Sequence, residues 1–223
     1  MHARNLGSSE QRGRRIEIDD LALASLLSSR ICHDLIGPVA ALNNGVEIIE
    51  DGVDDDMRGH AFQLIGESAR LASAKLQFYR MAFGAGGALA DSMNVDELKD
   101  LTTGFLEGGR VTLEWTRGES ALDRTLAKLL MNLVLIGIET LPRGGSVRVG
   151  AMKKGATNLI VVAEGRNATL SDRSRDLLRS GIVEDALQPK EAPLLLTHRL
   201  AKRLRAELSF GQENERVVVA ATV

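Results

Sequence analysis

One cysteine, one tyrosine, one tryptophan, five phenylalanines and four prolines are all that 223 residues contain of these types. A lone cysteine, Cys32, excludes an internal disulfide and fits a reducing compartment, so a cytoplasmic location is expected. Aromatics at 3% leave the core to aliphatic side chains, and 44% hydrophobic residues are ample for one large or two small domains. No apolar run approaches the roughly 20 residues needed to span a bilayer; the longest, around Leu129 to Ile138, is interrupted by Asn132. A net charge of −2 gives no general pull towards nucleic acid or an anionic membrane. The basic run from His198 to Arg205 complements the negative end of its own helix. His60 and His198 have no partners at metal-ligand spacing, and His2 lies in an N-terminal stretch rich in Arg, Gly and Ser. That stretch, residues 1–18, is expected to be a disordered tail, since Arg4, Arg12, Arg14 and Arg15 are followed by no hydrophobic region of a signal peptide.

What is present is a long amphipathic helix with a histidine on its outer side. Asp19-Asp20 starts a helix predicted to run to about Asp51. Ala24, Leu27, Ile31, Leu35, Pro38, Leu42, Val46 and Ile49 fall on one stripe at about 100° per residue. His33 points the opposite way. Ser29, Arg30, Gly37, Ala40 and Asn44 surround it, mostly small or polar groups that let another surface approach an imidazole. Cys32 does not share its face. Asp34 is expected to reach the ring only by bending back or through water, and an ion pair with Arg30 four residues earlier is the alternative. Arg30, Gly37, Asn43 and Asn44 are candidate partner contacts, a solvated helix face being the alternative for the asparagines. Pro38 removes a backbone hydrogen bond inside the helix. Because the stripe continues across it, a single bent helix is predicted.

Gly52-Val53-Asp54-Asp55 makes a turn, and a second helix follows from about Asp56 to Phe83. Met57, Ala61, Leu64, Ser68, Ala72, Leu76, Tyr79 and Phe83 recur along it at spacings of three and four. A two-helix hairpin over residues 19–84 leaves both stripes partly uncovered, and a second copy would close a four-helix bundle, so a homodimer is expected. Gly84-Ala85-Gly86-Gly87 reads as a hinge that permits rotation between the halves.

Residues 88–223 change pattern. Asn94 and Glu97 form a capping signal for a helix to about Leu106. Val111 to Thr116 alternates like a strand, Ala121 to Leu141 is helical, and Gly145 to Met152 and Asn158 to Glu164 pair through a turn at Lys153 to Thr157. Ser171 caps a short helix, Glu191 to Arg205 forms another, and Glu207 to Phe210 and Arg216 to Val223 close as strands. The fold class is therefore α+β: a helical hairpin followed by a two-layer α/β sandwich.

The string His33-Asp34-Leu35-Ile36-Gly37-Pro38 resembles the phosphoacceptor box of two-component histidine kinases. The longer run from Arg30 to Asn44 and on through Gly45-Val46-Glu47-Ile48-Ile49 is similar to the ChpT-type histidine phosphotransferases of alphaproteobacteria. So are Lys75-Leu76-Gln77-Phe78, Ala82-Phe83-Gly84-Ala85 and Pro142-Arg143-Gly144-Gly145-Ser146. The second half resembles the ATP-binding domain of the histidine kinase and gyrase superfamily, with departures. Where the kinases carry a metal-holding Asn, the run Asn132-Leu133-Val134-Leu135-Ile136-Gly137 offers Ile136, which cannot ligate magnesium. The adenine loop is reduced to Ala163-Glu164-Gly165-Arg166-Asn167. Asn132 is then expected to play a structural part, and the Gly144-Gly145 turn needs no phosphate to explain it.

The resemblance implies that His33 carries a phosphoryl group, with Asp34 supporting it. The chain itself would need no cofactor, the aspartate and Mg2+ being supplied by a partner receiver domain. Implied partners are a CckA-like hybrid kinase receiver and CtrA-like and CpdR-like response regulators. The alternatives are an ATP-dependent histidine kinase and a non-catalytic scaffold or anti-kinase that docks receivers.

Overall fold

Two long helices project from an α/β layer and are rooted in it. The computed structural model describes residues 16–84, 91–116, 118–183 and 185–223; of the expected hinge only Gly84 falls within them. Helix α1 (Asp20–Glu50) is continuous through Pro38. Asp19 starts it by accepting a hydrogen bond from the Ala22 amide at 2.7 Å, which satisfies one of the donors a helix start leaves free. Asp54 does the same for α2 (Asp55–Phe83), accepting from Met57 at 2.9 Å. The helices approach closely at Gly45, where a Cβ would come within 2.6 Å of Ile65 Cγ1.

A short strand β1 (Ile16–Glu17) precedes the hairpin and pairs antiparallel with Ile182–Val183, so the end of the expected N-terminal tail is held. Beyond the hairpin come β2 (Ser92–Asn94), α3 (Val95–Leu106), β3 (Val111–Trp115), β4 (Ala121–Asp123) and α4 (Arg124–Glu139). Then follow β5 (Gly145–Lys154), β6 (Ala156–Glu164), α5 (Asp172–Ser180), β7 (Ile182–Val183), α6 (Ala192–Leu204), β8 (Glu207–Glu213) and β9 (Arg216–Thr222). The main sheet has the order β3-β5-β6-β9-β8, parallel between β3 and β5 and antiparallel elsewhere. Residues 121–123, expected as the first turn of a helix, instead pair with β2, and Asp123 caps α4 one step later. The Gly144-Gly145 turn is required by the backbone: their φ angles are +83° and +145°, and a Cβ on Gly145 would lie 2.2 Å from the Glu164 carbonyl.

Helix α4 is buried from Leu129 to Gly137. It packs on the sheet with one side and on α2, α3 and α6 with the others, which is why its apolar run is continuous rather than striped. The foot of the hairpin belongs to the same core: Leu23, Phe78, Tyr79, Met81 and Ala82 join Leu98, Leu129 and Met131. Four of the seven aromatics gather here. Phe78 stacks on Phe105 at 4.2 Å between centroids, Tyr79 stacks on Phe83 at 5.1 Å, and Tyr79 meets Phe105 edge-on at 5.5 Å. Such pairs add about 0.5–1.5 kcal/mol each beyond their buried area.

The expectation of free rotation at the glycine hinge is corrected by this junction. Asn132, fully buried, donates from Nδ2 to the Ala82 carbonyl at 2.8 Å and to the Lys128 carbonyl at 2.8 Å. Lys128 donates to the carbonyls of Phe83 (3.3 Å) and Gly84. The carbonyls that α2 leaves free at its C-terminus are thus satisfied by α4. Burial, with Arg124 and Arg203 nearby, lowers the Lys128 pKa; the carbonyls partly offset that cost. Replacing Asn132 with Ala should cost about 2 kcal/mol through the stranded carbonyl and lost packing. Urea denaturation followed by far-ultraviolet circular dichroism checks this, and a change below about 0.5 kcal/mol would contradict it.

Candidate functional site

Near the foot of the hairpin, α1 turns one imidazole fully outward and an arginine fully inward. The His33 side chain is 84% exposed, whereas Arg30 and Asp34 are 10% and 15% exposed. His33 Nδ1 lies 3.0 Å from Asp34 Oδ1. Of the routes expected for Asp34, bending back to the ring is the one seen, and the ion pair with Arg30 forms as well. Asp34 is turned along the helix surface because its other oxygen is held from two sides: Arg30 Nε donates to Oδ2 at 2.9 Å, and the hydroxyl of Tyr79, the sole tyrosine, donates to the same oxygen in a short contact. Lys75 Nζ donates to the Asp34 backbone carbonyl at 3.1 Å.

The network does not stop at the hairpin. Arg30 Nη2 donates to Glu139 Oε1, the last residue of α4, at 2.5 Å. One guanidinium therefore joins a carboxylate beside His33 to a carboxylate of the α/β layer. Burial opposes the Arg30 charge, but Glu139 and Asp34 more than offset it, so its pKa is raised. Burial likewise works against an ionised Asp34, yet the hydrogen bonds from His33 and Tyr79 and the Arg30 charge hold it below the usual carboxylate range. Burial and the bond to Asp34 raise the Tyr79 phenol and keep it neutral.

An ionised carboxylate only accepts hydrogen bonds, so Nδ1 carries a proton and neutral His33 keeps its lone pair on Nε2. That nitrogen is open to solvent. The sequence-predicted residues divide accordingly. Arg30, expected to face a partner, is turned inward and committed to two carboxylates. Asn43 and Asn44 are exposed further along α1. Gly37 is exposed one turn beyond His33, and a Cβ there would meet nothing within 4 Å. A mid-helix glycine costs about 0.5–1 kcal/mol relative to alanine, and no packing among the described residues explains this one. Tyr79 and Glu139 were not among the expected site residues. The signal for Glu139 was a solitary acid ending an apolar helix, at the end where the helix dipole disfavours it.

A cavity of about 450 Å3 is lined by Glu139 itself and by Ile136, Thr140, Ser171, Arg173 and Glu191 among others. Ile136 faces this cavity with an aliphatic side chain. The Arg173 guanidinium is already bound to Glu191 at 2.5 Å and to Asp185. Among the described residues no group of three His, Cys, Asp or Glu is arranged to hold a metal ion, and no helix is long and apolar enough to cross a membrane.

Comparison with known proteins agrees with this architecture. Residues 95–216 match the family described as the histidine phosphotransferase C-terminal domain. The protein phosphotransferase ChpT of Brucella abortus (strain 2308) is 32% identical over 208 residues, covering 92% of this chain and 98% of that protein. A bacterial phosphotransferase solved at 1.7 Å shares 31% identity with a TM-score of 0.79, covering 92% of this chain and 98% of the other.

The depressed Asp34 pKa ties stability to pH. The unfolded chain takes up a proton near pH 4 that the folded chain resists, so this stabilisation is complete above that range and is lost as pH falls through it. Replacing Asp34 with Asn should cost about 2 kcal/mol at pH 7, and the gap to the wild type should narrow at pH 3.5. Urea titrations at the two pH values measure both; a gap independent of pH would contradict the ionised network.

Proposed function

Since the chain belongs to the histidine phosphotransferase family, a group acting in two-component signalling, we propose that His33 relays phosphoryl groups between receiver domains. The source is the receiver of a CckA-like hybrid kinase, and the acceptors are CtrA-like and CpdR-like response regulators. The observation that carries this reading is a solvent-open imidazole whose Nδ1 is held by an ionised carboxylate.

The Nε2 lone pair attacks the phosphorus of a receiver's aspartyl phosphate. The P–N bond forms as the P–O bond breaks, and the electron pair leaves with the receiver's carboxylate. Positive charge that builds on the ring is balanced by Asp34, which also fixes the ring's tautomer and orientation. The transferring group's own charge is met by the receiver's Mg2+, since phosphoryl transfer depends chiefly on in-line positioning and charge neutralisation. Return to a second receiver is the same step reversed. Gly37, with Asn43 and Asn44 beyond it, gives the receiver a close approach along α1.

ATP takes no part in this reading. Ile136 supplies no oxygen for a metal ion, and Arg173 is engaged with Glu191 and Asp185 at the cavity such a nucleotide would enter. Incubation with a phosphorylated receiver should place acid-labile phosphate on the wild type and none on a His33→Gln variant. Mg-ATP alone should label neither. Full labelling of the variant would remove His33 from the role, and labelling by ATP would favour a true kinase.

The same proposal includes a homodimer. Val39, Val46, Phe62 and Leu76 are exposed large apolar side chains on the hairpin, and by helical angle Val39 and Val46 lie well round α1 from His33. A second hairpin laid on this face closes a four-helix bundle and leaves both imidazoles outside. Leu76 is 49% exposed within one copy, so Leu76→Glu should yield folded monomer rather than unfolded chain. Light scattering at micromolar concentration decides it; a wild type that is monomeric would overturn the bundle.

A further inference from the structure

Glu139 belongs to the α/β layer, yet its carboxylate ends a continuous chain of contacts that begins at the reacting ring. His33 Nδ1 meets Asp34 Oδ1 at 3.0 Å, Asp34 Oδ2 meets Arg30 Nε at 2.9 Å, and Arg30 Nη2 meets Glu139 Oε1 at 2.5 Å. Resting on the relay reading above, we propose that Glu139 is a positioning residue for His33: by sharing the buried guanidinium it keeps Asp34 free to hold the Nδ1 proton.

The charge arithmetic gives the direction. Arg30 is one cation between two carboxylates, and its side chain is only 10% exposed, so water cannot replace a lost partner well. If Glu139 becomes neutral, the guanidinium concentrates on Asp34 and draws that carboxylate's charge away from the imidazole. The other groups around Asp34 do not compensate: Tyr79 donates to the oxygen shared with Arg30, and Lys75 engages the backbone carbonyl. The Nδ1–H···Oδ1 bond weakens, a larger share of rings carries the proton on Nε2, and the nucleophilic lone pair is less often where the receiver needs it.

Pure stabilisation explains the pair less well. A carboxylate at a helix C-terminus opposes the helix dipole, and a buried ion pair is weak evidence of stability in itself. Glu139 is 40% exposed, so removing its charge leaves no buried anion.

The test uses the full-length chain with Glu139→Gln. The initial rate of phosphoryl uptake from a phosphorylated receiver should fall roughly 3- to 30-fold, the range for residues that act through a contact network. The thermal midpoint should stay within a few degrees of the wild type. The 15N shifts of His33, read at fixed pH, should move towards the Nε2-protonated form. Glu139→Asp, which keeps the charge on a shorter stem, should lie between the two. Wild-type nitrogen shifts in Glu139→Gln would overturn the inference whatever the stability does, as would an uptake rate unchanged in Glu139→Gln when the wild type accepts phosphate. Because the nitrogen shifts are read without any receiver, they decide the matter even if the relay reading fails.

Discussion

A single inward-facing guanidinium sets the terms for much of this molecule. Arg30 is largely shielded from water where it lies, and its charge is met by two carboxylates, one from its own helix and one from α4. Meeting that demand fixes the Asp34 rotamer, and the Asp34 rotamer fixes which nitrogen of His33 is protonated. It also anchors α1 to the α/β layer at the level of the His33 ring. The aromatic contacts of Phe78, Tyr79, Phe83 and Phe105 hold the other helix at the same level, so the imidazole is presented from a rigid base although it is itself in water.

The arrangement separates two demands that usually conflict. An imidazole open to another molecule has to be exposed, but exposure leaves its tautomer to chance. Here the ring is open while the carboxylate that selects its tautomer is sheltered. Burial makes Asp34 sensitive to its neighbours, and three donors keep it ionised.

Much of this could be read from the residues, and the misses have physical causes. The long helices, the outward His33 and the order of elements along the chain follow from periodicities and capping residues, which are local. Pro38 did not break α1: the residue is itself buried, the helix packs along α2, and that packing outweighs one lost hydrogen bond. The glycine-rich linker suggested independence between the halves, but the contacts that deny it join residues far apart in sequence, Phe78 to Phe105 and Ala82 to Asn132. Asn132 was legible as a polar residue in an apolar run; that its partner is the end of α2 was not. Arg30 was placed on the partner-facing surface because a helical wheel gives direction from the axis, not the depth to which a long side chain folds back.

The capping of α2 by Asn132 and Lys128 bears on how such a molecule can be taken apart or recombined. Its hairpin is not a cassette. Cut at the glycines and grafted onto another base, it would arrive with the carbonyls of Ala82, Phe83 and Gly84 bare and with Arg30 short of one carboxylate. The smallest unit that keeps these contacts is the hairpin together with α4, and substitutions on the outer face of α1 leave that shared seam intact.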